Sequence, residues 1–370
     1  MRNYHSVCIC GGGGLGHTLA ANISSNGCKV NLLTGHPDLW SHDIEVYDCN
    51  NKTIKGNIDK ISNSPKDVIA DVDIILLCVP GYLIQRTLKK IAPFVKQSQE
   101  IGSVISSSGF FWMANHELGC NKRLFGFQRV PFISRVIEYG KKGALKGYKS
   151  LLKIGGSKVS DLEGLSSFFT KALNTPTIPL SHYLEATLTN SNPILHPSRI
   201  YGMLSDIKED IYDKEFLFYE EWDDKSSSIL IDCDTEFQRI LSRLPIHQKE
   251  IPTLLDYYES TDAHSLTQKI RSIKAFQGIK MSMVNSNGKF KVDYNNRYFT
   301  EDIPFGLLII KSLGVLLNEK TPKIDLIVEW MQSRLDKEYL INGELKGKDL
   351  KETGIIQNFN IATVEDLLNL

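Results

Sequence analysis

Near-continuous apolar runs alternate with helix-spaced ones over the first third of the chain. Residues 5–10 (HSVCIC) are apolar almost throughout and read as a buried strand. Leu15 to Ser25 follows with apolar positions at helical spacing, and Lys29 to Leu33 (KVNLL) is a second strand. Residues 52–61 read as short strands or a turn-rich connection. Asp73 to Val79 (DIILLCV) is a third buried strand, Leu83 to Phe94 an amphipathic helix, and Ile101 to Ser106 a further strand. Strands alternating with helices imply a doubly wound parallel sheet. The pattern changes at NTPTIPLSH (174–182), where two prolines work against helix. Beyond it helical spacing dominates, at 183–188, 201–204, 230–244, 251–258, 305–317 and 324–335. The expected organisation is an α/β domain over residues 1–180 followed by a mostly α-helical domain over 181–370.

Between the first strand and the first helix stand four glycines. Gly11, Gly13 and Gly16 fit G-x-G-x-x-G. In such a turn the first glycine permits the bend, the second lets backbone approach a pyrophosphate, and the third lets helix and sheet pack closely. The helix N-terminus then offers unpaired N–H groups to phosphate. The plain alternative is a tight turn without a ligand, but here strand, helix and second strand all surround the motif. Gly11, Gly13, Gly14 and Gly16 are therefore expected at a dinucleotide. NAD enzymes commonly end the second strand on an acid that bonds the ribose. Here the chain reads Leu33, Thr34, Gly35, His36, with no carboxylate before Asp38. Thr34 and His36 suit a 2′-phosphate, which favours NADP, with NAD the alternative. Val79 and Pro80 end the third strand on the same sheet edge, either beside the cofactor or simply making a turn.

Composition narrows the classes. Lys+Arg and Asp+Glu are both 43, and this zero net charge argues against broad binding to nucleic acid or to an anionic membrane. The longest apolar stretches are too short and interrupted to span a bilayer. Seven scattered cysteines show no metal-ligand spacing, and with no secretory signal they suggest reduced thiols and a cytoplasmic protein.

Hydride transfer to carbon needs a group that moves a proton, and His does so most readily near neutral pH. In NSNPILHPS (190–198), His196 lies between Pro193 and Pro197, with Asn190 and Asn192 close by. A core or capping histidine at a helix break is the default there. In NNRYFTEDIPFGLL (295–308), Thr300 reads as an N-cap and Asp302 as a first-turn acid. Asp302 could equally bond His196, fix its tautomer and support its charged form. Arg297 has the planar fork suited to a substrate carboxylate, or to a surface ion pair.

The stretches ICGGGGLGHTLA at the start, GFQRVPFISRVIEYGKK (126–142), NSNPILHPSRIYGML (190–204), RYFTEDIPFGL (297–307) and TPKIDLIVEWMQSRL (321–335) resemble the octopine/nopaline (opine) dehydrogenase family over nearly the full length. The pair N-P-x-x-H-P and R-x(4)-D-x-P, in that order, is far more specific than the glycine loop. The resemblance implies an N-terminal Rossmann domain, a helical C-terminal domain and an active site in the cleft between them. It implies reductive condensation of an amino acid with a 2-oxo acid through an imine. His196 would be the general acid/base, Asp302 its partner, and Arg297 the holder of the oxo-acid carboxylate. Asn192 and Gln128 would help order the substrates, and Arg135 lies in the same segment as Gln128. The partners implied are small molecules, and the sequence permits a homodimer. Two other readings stay open: a 2-hydroxy acid or polyol dehydrogenase using the same histidine, and a nucleotide-sensing protein without catalysis.

Overall fold

The computed structural model describes residues 3–207 and 211–370. The chain divides into two compact units, 1–188 together with 369–370, and 189–368. Strands of the first unit are β1 (Ser6–Cys10), β2 (Lys29–Leu33), β3 (Asp43–Asp48), β4 (Thr53–Asn57), β5 (Lys60–Ser62), β6 (Ile74–Leu77), β7 (Glu100–Ser103), β8 (Arg123–Phe127), β9 (Phe132–Glu138), β10 (Lys142–Tyr148), β11 (Leu152–Ser157) and β12 (Thr177–Pro179). Its helices are α1 (Gly14–Ser25), α2 (Pro65–Ile69), α3 (Gly81–Ile91), α4 (Phe110–Leu118), α5 (Leu162–Leu173) and α6 (Tyr183–Thr187).

The main sheet runs β12-β11-β8-β7-β6-β1-β2-β5. From β5 to β8 every pairing is parallel, whereas β11 runs antiparallel to β8. The chain winds from β1 through β2 to β5, then returns to the other side of β1 for β6, β7 and β8. The winding therefore reverses between β1 and β6, whose ends Cys10 and Leu77 are paired. Crevices at such reversals, beyond the strands' carboxyl ends, are where doubly wound sheets bind ligands. Four buried apolar residues fill β6 and leave no polar face, as a central parallel strand requires.

A second sheet, β4-β3-β10-β9, was not anticipated from the sequence. It lies against α1. A Cβ on Gly56 of β4 would fall 2.6 Å from the Cα of Ala21, and one on Gly143 of β10 would fall 3.3 Å from the Cβ of His17. With β1 and β2 on its other side, α1 is buried continuously from Gly16 to Ile23. Its buried polar residues are satisfied locally: Asn22 donates to the Thr18 carbonyl at 2.8 Å, and Thr18 shares a 2.7 Å hydrogen bond with Ser134 of β9.

The second unit is built on α7 (Asn192–Leu204), α8 (Asp224–Ser242), α9 (Leu254–Tyr257) and α10 (Ala263–Ser272). A hairpin of β13 (Met283–Ser286) and β14 (Lys289–Val292) follows, then α11 (Arg297–Thr300), α12 (Leu308–Leu316) and α13 (Pro322–Arg334). α7 and α8 approach closely at Gly202, where a Cβ would meet Ser226 Oγ at 2.4 Å. Between α11 and α12 the residues Ile303–Leu307 form a π turn, kinked at Phe305 (φ −115°). Gly306 of that turn packs on Pro193, where a Cβ would lie 2.9 Å from the proline Cβ. This contact seats the turn on the start of α7. Thr300 is not the N-cap expected from the sequence. It closes α11, and its hydroxyl donates back to the Asn296 carbonyl, while the Asn296 side chain caps that helix. Nor does the chain break at His196: α7 runs through both prolines, with Pro193 in its first turn and Pro197 inside. Among the described residues no helix is long and apolar enough to cross a membrane.

Candidate active site

The glycine loop joins β1 to α1 at the sheet's reversal. Gly11 takes φ +131°, and a Cβ there would strike the Cys78 carbonyl at 2.5 Å. A Cβ on Gly16 would sit 2.1 Å from the Gly11 carbonyl oxygen. Both glycines are required by close backbone approach. Gly13 differs: a Cβ there would meet nothing within 4 Å. It is also the N-cap of α1, and no side chain caps the helix. The first turn of α1 therefore has no side-chain cap and begins beside open space at Gly13, the arrangement that receives a phosphate. Gly14 packs instead, since its Cβ would lie 3.3 Å from the Ser134 backbone.

Around Gly12 stand the Thr34 hydroxyl, the Tyr139 hydroxyl and the Trp40 indole, all within 3.2 Å of where a Cβ would be. Trp40 is buried, and its Nε1 finds no hydrogen-bond partner. Thr34 is buried at the end of β2, and its Oγ1 accepts from the exposed His36 N–H at 3.4 Å. Val79 comes within 3.1 Å of the Gly11 Cβ position, and Pro80 caps α3. An open cradle over Gly13, uncapped helix donors and an orphaned buried indole N–H all fit a dinucleotide.

His17 locks this loop and was not singled out from the sequence. Its Nδ1 lies 2.9 Å from the Gly13 carbonyl, and its Nε2 accepts from the Gly140 N–H at 2.8 Å. The Nδ1–H tautomer of a neutral ring satisfies both, and Trp40 packs against it at a tilt, 4.2 Å between centroids. Burial lowers its pKa from the ordinary 6.5, against the opposing pull of the Gly13 carbonyl. Below about pH 6.5 the unfolded chain takes up a proton that the folded ring resists. The contribution of His17 to stability is thus full above that pH and falls as pH drops towards the folded pKa. The expected slope is at most about 1.4 kcal/mol per pH unit. Urea midpoints measured from pH 8 to pH 5 should fall more steeply for the wild type than for His17→Gln; parallel curves would refute the assignment.

On α7, His196 is 5% exposed. Its Nδ1 lies 2.7 Å from Asp302 Oδ2, on the residue that enters the π turn, and its Nε2 lies 3.0 Å from the Tyr219 hydroxyl. The carboxylate accepts from Nδ1–H, so Nε2 is the nitrogen left to exchange protons. Tyr298 packs on the ring at a tilt, 4.3 Å between centroids, and Phe218 meets it edge-on. Arg297 opens α11. Its side chain is exposed and makes no hydrogen bond or ion pair with any described residue. Asn192 begins α7, four residues before His196, and is half-buried. Gln128 belongs to the first unit, where its amide donates to the Glu185 carbonyl at 2.8 Å. Arg135 is exposed on β9 and bonds the adjacent Ser134 carbonyl, forming no ion pair with a described residue.

A glycine loop at a sheet reversal, with a buried His–Asp pair on a separate helical unit, defines a two-domain dinucleotide-dependent dehydrogenase. Residues 6–118 match the NAD-dependent glycerol-3-phosphate dehydrogenase N-terminus, and residues 179–335 match the NAD/NADP octopine/nopaline dehydrogenase alpha-helical domain. The chain is 27% identical to octopine dehydrogenase of Pecten maximus, over 98% of both chains. It is 27% identical to tauropine dehydrogenase of Arabella iricolor, over 97% of this chain and 99% of that one. A solved octopine dehydrogenase with NADH and pyruvate superposes with a TM-score of 0.87 at 26% identity, covering 99% of this chain and 98% of that one. Residues 179–335 thus match the octopine/nopaline dehydrogenase helical domain, and the chain is similar to octopine and tauropine dehydrogenases over nearly its full length.

Proposed function

We propose that this chain is an NAD(P)H-dependent opine dehydrogenase that condenses an amino acid with a 2-oxo acid and reduces the product. The observation that carries the reading is the buried Asp302–His196 pair, bonded at 2.7 Å, with an unpaired arginine five residues before the aspartate. The work divides near residue 180, with the dinucleotide on the glycine loop and the acid–base group on α7. The amino group attacks the carbonyl carbon of the oxo acid, and a carbinolamine forms. His196 supplies the proton that lets its hydroxyl leave as water, giving an imine. The bound dinucleotide supplies the hydride that reduces the imine to a secondary amine. Asp302 holds Nδ1–H throughout, so proton traffic runs through Nε2. Arg297 grips the oxo-acid carboxylate with its planar fork and turns the carbonyl towards the histidine. With neutral Thr34 where NAD enzymes commonly place an acid, either NADP or NAD fits. All seven cysteines are free, which suits a reducing compartment such as the cytoplasm.

The test is a grid of amino acids and 2-oxo acids against NADH and NADPH, followed by nicotinamide absorbance, with products weighed by mass spectrometry. Oxidation that requires both partners and yields their condensed, reduced mass supports the reading. Oxidation with the oxo acid alone replaces it with a hydroxy acid dehydrogenase. In the same assay Arg297→Ala should raise KM for the oxo acid roughly ten- to hundredfold, the worth of hydrogen bonds to a charged group. KM for the amino acid and Kd for the dinucleotide should stay within about twofold; a uniform rise in all three would refute carboxylate binding.

A further inference from the structure

The proton-exchanging nitrogen of His196 is covered by a group that neither composition nor motif suggested. Tyr219 Oη lies 3.0 Å from Nε2, and among the described residues it is the group that hydrogen-bonds this nitrogen. We propose that Tyr219 relays the catalytic proton, so that the chain Asp302–His196–Tyr219, rather than the histidine directly, delivers it to the substrate oxygen. The inference rests on the assignment of His196 as the acid–base group.

A tyrosine hydroxyl has one proton and two acceptor sites. When the ring is neutral, the Tyr219 O–H donates to Nε2. When the ring is protonated, Nε2–H donates to Oη, and the Tyr219 O–H is released to point elsewhere. Delivery then moves two protons at once: the tyrosine proton goes to the departing oxygen, and the Nε2 proton goes to Oη. Histidine and tyrosine both end neutral, the departing oxygen leaves as water, and no further reactant is needed.

Two features keep the hydroxyl where it is. Its ring is stacked on Phe276 at 4.1 Å and lies nearly parallel to Trp222. Its segment is clamped by Arg199, one turn beyond His196 on α7. Arg199 donates to the Phe218 carbonyl at 3.0 Å, the Glu221 carbonyl at 2.5 Å, the Asp223 carboxylate at 3.0 Å and Ser226 Oγ at 3.1 Å. The guanidinium thus holds backbone on both sides of Tyr219, and α7 carries both the histidine and the brace for its partner. A swing of the ring away from Nε2 would break the stack, and a shift of its backbone would break the clamp. Burial, then Tyr298, Tyr258 and Asp302, push the phenol's pKa up against Arg297, so it remains a donor.

The test is single-turnover dinucleotide oxidation in mixtures of H2O and D2O, with wild type and Tyr219→Phe. A relay gives a bowed dependence on deuterium fraction in the wild type, because two protons move together. Tyr219→Phe should give a straight line and lose ~10²-fold in rate, the lower end of general acid–base effects. KM for both substrates and Kd for the dinucleotide should stay within about twofold. A straight wild-type line overturns the relay without recourse to any variant. A Tyr219→Phe rate equal to or above the wild-type rate overturns it as well, since the hydroxyl would then be packing or a cover. Should the wild type reduce the oxo acid alone, the opine reading fails while the relay is still tested, because the same substrate oxygen takes the proton in either reaction, as a departing hydroxyl in one and as a carbonyl in the other.

Discussion

His196→Ala and Asp302→Ala will each bind the dinucleotide normally and turn over ~10²- to 10⁴-fold more slowly, the usual worth of general acid–base help. The expectation follows from where the pair sits. His196 is on α7 and Asp302 at the head of the π turn, both in the second unit, whereas the glycine loop belongs to the first. Neither side chain supports the loop. Removing the imidazole leaves a carboxylate and a phenol without a partner, both nearly buried, at a cost of about 1–3 kcal/mol for each lost partner. A thermal melt should therefore accompany the kinetics, so that a poorly folded variant is not scored as an inactive one. Asp302→Asn makes the sharper comparison. An amide can donate to Nδ1, favour the other tautomer and place the ring proton on Nε2. Its fold should be closer to wild type than that of Asp302→Ala, while its rate stays low. Dinucleotide titration by fluorescence, together with kcat at saturating substrate, separates the two effects. Turnover within about threefold of wild type in all three variants would remove the dyad.

What the sequence revealed, and what it hid, has a physical basis. The parallel sheet was legible because its strands are buried on both faces and read as continuous apolar runs, as in β1 and β6. The second sheet was not. In β9 the apolar residues Ile133, Val136 and Ile137 are exposed, and β10 carries Gly143 and Gly147, so neither strand shows a clean two-residue period. Part of the GFQRVPFISRVIEYGKK stretch builds that sheet, and its Ser134 and Gly140 fasten the head of α1 through Thr18 and His17. His196 stood out because a histidine between prolines is unusual, whereas Asp302 read equally well as a first-turn acid and only the family resemblance favoured pairing the two. Tyr219 was invisible, since FLFYEEW reads as ordinary core and its contact with His196 spans 23 residues. Only the Arg199 clamp, a buried charge holding backbone carbonyls, reveals that this segment is placed rather than merely packed. Gly14 looked like its neighbours in the sequence, yet it faces a strand while Gly13 faces open space.

That difference between adjacent glycines carries the other large effect. Gly13→Val should fold with nearly wild-type stability and lose dinucleotide affinity, because a Cβ there meets no protein atom within 4 Å and the side chain fills the cradle instead. If phosphate is held by the uncapped N–H groups of α1, blocking them removes hydrogen bonds to a charged group, each worth about 1.5–3 kcal/mol. Kd should rise at least tenfold. Gly16→Val should behave in the opposite way. Its Cβ would lie 2.1 Å from the Gly11 carbonyl oxygen, and backbone on both sides has no room to move: Gly11 is pressed on Cys78, and α1 is held between two sheets. Overpacking of this kind typically costs about 1–3 kcal/mol, and here the clash is with backbone rather than a flexible side chain, so the upper end or beyond is expected. Urea melts and NADH titrations of both variants decide the matter. A Gly13→Val protein that binds NADH like wild type would mean the loop is only a turn, while one that unfolds would mean the space above Gly13 is not free. Stability lost at Gly16 and binding lost at Gly13 would show that one short loop serves two separate physical demands, close packing beneath and open donors above.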